Sequence, residues 1–479
     1  MSATVLCDRA IALAGPCRRQ ARPGLALAAT ILASSLGFID SSVVNVGLPA
    51  IGRDFHAGPA ELQWVVNAYL LPLSALLLLG GALGDRYGQR RLLMIGVAVF
   101  AASSAACALA PKLEWLIAAR AVQGLAAALV LPNSLAILGG TFQGAARSRA
   151  VGLWAASASA AAAIGPVLGG WLIDTVGWRM IFLINLPLAA GAIALALVGV
   201  EQDHGRAEAA RLDLAGAVLI TAALTSLAWG LTEGAGAAGW NAATLLAVAM
   251  GLALAVAFVW TEKRLGDNAM TPMALFGSRP LLALNLLTLL LYGAMAGFML
   301  LTPYLLITTA GYSAAAAGAA MLPFPLVLSL VSPTTGALAG RIGARRLLIA
   351  GAGLVAAGFL LAVREGRGGS YWSTVLPSVA AVALGMACAA APLTAAVLGA
   401  VDPHHTGAAS GLNSAVAQLG GVIAVALLGP VLATRGAAFV HAFHLAAMAG
   451  AVAALAGGAA IAVLFDDRRN ALGRAPTSP

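Results

Sequence analysis

The sequence predicts an all-α polytopic membrane protein: two six-helix bundles with two further helices between them, fourteen spans in all. Three observations lead there. The chain of 479 residues is 61% hydrophobic and only 9% charged, with a mean hydropathy of +0.93, against about 25% charged in an ordinary soluble domain. Its long apolar runs number fourteen, each near the roughly 20 residues that carry a helix across a bilayer. Finally, Gly81-Ala-Leu-Gly-Asp85-Arg86-Tyr-Gly88-Gln-Arg90-Arg91-Leu-Leu93 returns 255 residues later as Gly336-Ala-Leu-Ala-Gly340-Arg341-Ile-Gly343-Ala-Arg345-Arg346-Leu-Leu348, with nine of thirteen positions identical.

The runs centre near Ala33, Leu71, Phe100, Ala127, Ala160, Ala190, Thr221, Met250, Leu290, Leu326, Val355, Leu384, Gly421 and Ala453. Each copy of the repeat ends one run and opens the next, so both are tight basic loops. The first follows span 2 and the second follows span 10, a shift of eight helices. Two six-helix halves would shift by six, so spans 7 and 8 are additions between the halves. The expected plan is a tail over residues 1–23, a first bundle over 24–200, the two added helices over 201–266, a second bundle over 267–466 and a short polar tail over 467–479. The charged stretches from Glu201 to Asp213 and from Glu262 to Asp267 mark the two junctions.

Net charge is +9, and its distribution sets a topology. Of 27 Lys and Arg, 20 fall in the tails and even-numbered loops, 6 in the odd-numbered loops, and Arg120 lies inside a span. The positive-inside rule then places both termini in the cytoplasm of a cell-membrane protein. No basic stripe is interleaved with aromatics, so nucleic acid is not an expected partner. Arg9, Arg18, Arg19 and Arg22 resemble the start of a signal peptide, but the run that follows is a full span containing Asp40, and cleavage is not expected. Cys7 and Cys17 lie in the tail, Cys107 and Cys388 inside spans, with no zinc or redox spacing. His404 and His405 are adjacent and do not share a helix face, so no metal site is expected. No phosphate-binding loop is present, which leaves an ion gradient as the energy source and no cofactor.

Charge inside a span costs about 2.5–3.5 kcal/mol on insertion scales and needs a reason. Asp40 in span 1 and Arg120 in span 4 are the two that stand out. One reading is a protonatable acid in a water-reachable cavity with a cation beside it, a proton-coupling pair. The other is a fixed ion pair that only assists assembly. Asp85, beside Arg86, Arg90 and Arg91, can accept from a helix N-terminus and pair with arginine, latching the bundles on one side. Gly340 replaces it in the second copy, so such a latch is one-sided. In span 5, Gly165-Pro166-Val-Leu-Gly169-Gly170 combines a helix-bending proline with glycines that admit a close neighbour, a conformational hinge or a plain packing face. Asn45, Gln123, Asn133, Asn285, Tyr292, Asn413 and Gln418 are candidates to line a substrate cavity, or to bond helices together.

Five motifs in order give a resemblance that covers nearly the whole chain. They are Phe38-Ile-Asp40-Ser-Ser-Val-Val-Asn45-Val-Gly-Leu-Pro49, the loop after span 2 with Gly88, Arg120-Ala-Val-Gln123-Gly124, the Gly165–Gly170 run, and Trp178-Arg179-Met-Ile-Phe182-Leu-Ile-Asn185-Leu-Pro187. The chain resembles the fourteen-helix drug:proton antiporter branch of the major facilitator superfamily. Its span 5 departs from the branch pattern at Ala161, where a glycine is usual. The resemblance implies a monomeric proton-coupled exporter of small amphipathic compounds, with Asp40 as the coupling acid and the Asp85 latch favouring an outward-facing state. A dedicated exporter of one secondary metabolite, or an uptake carrier, are the alternatives within transport. A membrane enzyme would need a polar catalytic cluster that the sequence lacks.

Overall fold

The computed structural model describes residues 22–201, 213–235, 239–266, 278–366, 370–401 and 406–465. These form helices α1 (Pro23–Phe55), α2 (Pro59–Tyr87), α3 (Gln89–Ala108), α4 (Leu113–Thr141), α5 (Gly144–Thr175), α6 (Met180–Gly199), α7 (Leu214–Ala235) and α8 (Ala242–Leu265). The remainder are α9 (Arg279–Thr308), α10 (Ala314–Ile342), α11 (Ala344–Ala362), α12 (Val375–Gly399), α13 (Thr406–Leu427) and α14 (Ala437–Leu464). Twelve are long and apolar enough to cross a bilayer. A thirteenth is α2, counted as one span across its 54° bend, while α13 carries only a shorter apolar stretch, Leu412–Leu427. Cys7, Cys17, the stretch that follows Glu201, Asp267, His404, His405 and the C-terminal tail lie outside the described residues.

Local chemistry sets the helix starts. Proline opens α1, α2 and α9 within the first two positions, where its missing N–H costs nothing. The Asn241 side chain accepts from the N–H groups of Ala243 and Thr244 at 2.9 and 3.0 Å to start α8. The two copies of the repeated loop turn the chain alike: Gly88 has φ +100° and Gly343 φ +91°, a region where a side chain would be strained. Their arginines also do one job. Arg90 Nη2 donates to Leu197 O at 2.9 Å and Arg345 Nη2 donates to Ala462 O. Each therefore holds the last turn of the final helix of its own bundle, α6 or α14, where carbonyls lack helical partners.

Helices α1–α6 pack on one another, as do α9–α14. The added pair sits to one side, with α8 packed on α7 and α7 lying against both α2 and α13. Leu71 and Ala75 of α2 meet Leu224 and Ala228 of α7 and Val422 of α13 in one buried cluster, so α7 bridges the flanks of the two bundles. On α8, Leu246 and Val256 are 65% and 69% exposed. Apolar surface of that extent suits a hydrocarbon environment and not water.

One end of the assembly carries Pro23 and both repeated loops and is called the tail end below; the opposite one is the far end. At the far end, beyond the last residue of α11, Glu365 is fully buried. Ser378 Oγ donates to its Oε1, and His444 Nε2 lies 2.8 Å from its main-chain O. Burial pushes the Glu365 carboxyl up to about 8, with the Ser378 bond acting weakly against it. A carboxyl that holds its proton more tightly when folded stabilises the fold fully below its unfolded value of 4.5. That contribution erodes as pH rises and is gone once pH passes about 8. Glu365→Gln keeps the Ser378 bond and removes the titration. Melting of the detergent-solubilised protein should fall by several degrees between pH 5 and pH 8.5 in the wild type and stay flat, to that extent, in Glu365→Gln. Parallel curves for the two proteins would refute a protonated Glu365.

Candidate functional site

The two charges inside the spans meet. Arg120 Nη1 donates to Asp40 Oδ2 across the α1–α4 contact, and both side chains are buried. Gln123, one turn along α4, donates to Asp40 Oδ1 at 2.9 Å and to Ser104 Oγ at 2.8 Å, while its Oε1 accepts from Arg120 Nη1 at 2.7 Å. Asn185 of α6 adds donors to Asp40 Oδ1 at 3.3 Å and Ser104 Oγ at 3.2 Å. Arg120 Nε donates to Val65 O at 3.1 Å, and its guanidinium lies 4.4 Å from the Tyr69 ring centre. Four helices besides α1 therefore hold this carboxylate and its partners. Burying two charges is expensive, and only such a complete set of hydrogen bonds makes the pair tolerable.

Arg120 and Tyr69 of this network stand in one wall of a central cavity of about 440 Å³ between the bundles, a volume suited to a drug-sized ligand, and Asp40 lies behind them. The first bundle supplies Phe38, Asn45, Tyr69, Arg120 and Pro166 to its lining, and the second supplies Tyr292, four methionines, Phe324 and Gln418. A wider groove of about 740 Å³ between α2 and α7 is lined by apolar and hydroxyl side chains, with no ionisable group among the described residues. The central cavity is the one beside the charges.

The seven polar residues expected around a cavity divide. Asn45, Tyr292 and Gln418 line it. Gln123 does not; it is buried in the ion-pair network. Asn133 donates to Gly80 O at 3.0 Å and Leu129 O at 2.7 Å, bonding α4 to the bend of α2. Asn413 accepts from Thr288 at 2.7 Å and ties α13 to α9. Asn285, near the tail end of α9, is also absent from the lining. Ser104, Asn185 and Tyr69 complete the network without having been singled out as site residues, although Asn185 stands in a quoted motif.

The span 5 run seats α5 on two neighbours. A Cβ at Gly165 would lie 2.1 Å from Ser42 Oγ and one at Gly169 1.7 Å from Val43 Cγ2, both on α1. A Cβ at Gly170 would lie 2.3 Å from Ala314 O, and one at Gly318 2.1 Å from Pro166 O, so α5 and α10 touch backbone to backbone across the bundles. Asp174 strengthens this far-end contact by accepting from the N–H groups of Ala314 and Ala315 at 3.2 and 2.9 Å. At the tail end, Asp85 and Arg86 are exposed; Asp85 accepts from Gln89 Nε2 at 3.2 Å, and Arg86 lies over the Tyr87 ring. Arg91 is exposed beside them, and Arg90 is bound within its own bundle.

Two helix bundles enclosing a central cavity, with a buried ion pair beside it, are the architecture of many secondary transporters. The sequence agrees. The profile of the Major Facilitator Superfamily matches residues 30–278 and 284–479, and the chain belongs to that family. Over 84% of its length it is 38% identical to multidrug resistance protein Stp of Mycobacterium tuberculosis, covering 75% of that protein. It is 33% identical to the tetracenomycin C resistance and export protein of Streptomyces glaucescens, over 85% of this chain and 76% of that one. With the cephamycin export protein CmcT of Amycolatopsis lactamdurans it shares 36% over 86% of each. Among solved structures, a bacterial homologue of the human lysosomal transporter Spinster superposes with a TM-score of 0.65 at 16% identity, over 95% of this chain and 99% of that one. The chain is thus a multi-pass membrane transporter and not an enzyme, as its motifs implied.

Proposed function

We propose that this transporter is a proton-coupled antiporter that exports small amphipathic organic compounds through the cytoplasmic membrane by alternating access. The observation that carries the reading is the buried Asp40–Arg120 pair, whose arginine lines the cavity between the bundles. An acid whose counter-ion can be exchanged for a proton, linked to the cargo site through the arginine that lines it, couples the two fluxes. The tail end is the cytoplasmic one, and the α5–α10 contact is the outer gate, closed here. When the bundles rock, that contact parts, the tail ends close, and Asp85 with Arg86 and Arg91 becomes the inner latch. A membrane potential of 100 mV supplies about 2.3 kcal/mol for each charge moved inward. The relatives named for multidrug resistance and for antibiotic export support the outward direction. Two of them are named for a single antibiotic, which favours as a second reading a dedicated exporter of one secondary metabolite.

The test is the purified protein, taken to act as a monomer, in proteoliposomes with an imposed pH gradient. Substrate movement against its gradient should be matched by opposite proton flux, followed with an internal pH dye. Transport that proceeds at the same rate without a proton gradient would rule out the antiporter.

A further inference from the structure

The proposal that follows rests on reading the central cavity as the cargo site, and it concerns which cargo that site selects. Among the described residues, the only ionisable lining group that carries charge at neutral pH is Arg120. Its carboxylate partner is behind it. Asp40 is fully buried, its Oδ2 is taken by Arg120 and its Oδ1 by Gln123 and Asn185. A cation in the cavity therefore meets the guanidinium first and finds no acid to pair with.

The unused hydrogen-bonding capacity points the same way. Of the guanidinium nitrogens, Nε donates to Val65 O and Nη1 to Asp40 and Gln123; Nη2 has no partner among the described residues. Asn45, Tyr292 and Gln418 line the cavity and likewise have no side-chain partner among the described residues. Two amides, a phenol and a guanidinium thus line the cavity with capacity to spare; the guanidinium only donates, while the amides and the phenol both donate and accept. Ligand oxygens satisfy the guanidinium and the N–H and O–H groups together, whereas a quaternary ammonium group has no lone pair for any of them and is repelled by the one charge in the lining.

The rest of the wall is thioether and aromatic. Met295, Met299, Met321 and Met386 approach from the second bundle, facing Phe38 and Tyr69 of the first. Methionine sulfur packs favourably against the edges of aromatic rings and adapts to different outlines. We propose that the cavity selects planar aromatic compounds rich in oxygen acceptors, uncharged or with one negative charge, and discriminates against permanent cations. Arg120 Nη2 and Gln418 are its specificity-determining donors.

The experiment uses three anthraquinones of one ring skeleton: an uncharged hydroxyanthraquinone, a monosulfonate, and one bearing a quaternary ammonium group. Binding to the full chain in lipid nanodiscs is measured by equilibrium dialysis. The first two should bind at least tenfold more tightly than the third. Gln418→Leu, which leaves the ion pair intact, should weaken the first two several-fold; Arg120→Lys should weaken the sulfonate most if it still folds. Equal or tighter binding of the quaternary compound overturns the inference, as does failure of all three to bind at millimolar concentration. The same compounds in proteoliposomes separate the two ideas. The expected binding order without uphill movement overturns export and leaves the selectivity standing, whereas uphill export of all three at equal rates overturns the selectivity alone.

Discussion

Asp40→Asn abolishes gradient-driven export, lowering it at least about a hundredfold, the equivalent of about 2.7 kcal/mol in a rate-limiting step. The amide keeps the shape of the carboxyl and can still accept from Arg120 or Gln123, so the helices around it have no steric reason to move. It can neither bind nor release a proton. The variant should therefore still exchange labelled for unlabelled substrate across the membrane while failing to concentrate it. Arg120 loses its counter-charge in the process. Breaking a buried pair costs about 3–5 kcal/mol where nothing compensates, so membrane abundance and melting temperature are measured alongside. Undiminished uphill export in a merely less stable protein would reduce the pair to a structural bond.

Gly170→Val lowers export at least about tenfold by a different route. The new side chain would meet Ala314 O, and since both groups are backbone-borne the α5–α10 contact cannot close without shifting a helix. The far end is then held open. In a background free of the four native cysteines, a cysteine placed at Asn45 should react faster with an impermeant thiol reagent added from that side. Gly353 on α11 has nothing within 4 Å of where its Cβ would be, so Gly353→Ala serves as the control and should export normally. Full export by Gly170→Val with unchanged thiol reactivity would show that this contact is not a gate.

Much of the arrangement was legible because a bilayer makes polar groups conspicuous. Asp40 and Arg120 could be found without coordinates since a charge in hydrocarbon demands a partner. Their geometry could not, because it depends on how α1, α3, α4 and α6 are rotated about their own axes. That rotation brings Asn185 onto Asp40, sets Ser104 against Gln123 and Asn185, and draws Gln123 away from the cavity. The amides divide for the same reason: an Asn in an apolar helix can face a neighbour, as Asn133 and Asn413 do, or a cavity, as Asn45 does, and its spacing does not say which. Glu365 was hidden by its position in a connecting segment, where an acid normally faces water; only packing against Ser378 and His444 makes it unusual.

Composition, periodicity and the repeat determined that this chain is a helical membrane protein, that its loops repeat with two helices added between the copies, and that one acid and one arginine stand out inside the spans. These follow from one-dimensional rules: the length of apolar runs, the price of charge in lipid, and identity at a fixed offset. Tertiary structure decided the rest. It made Arg90 and Arg345 equivalent helix-end bonds within each bundle, set α5 against α10 through Gly170 and Gly318, and turned Arg120, rather than Asp40, towards the cavity. Those outcomes are fixed by which faces of separate helices meet, a relation between distant segments that no local pattern records.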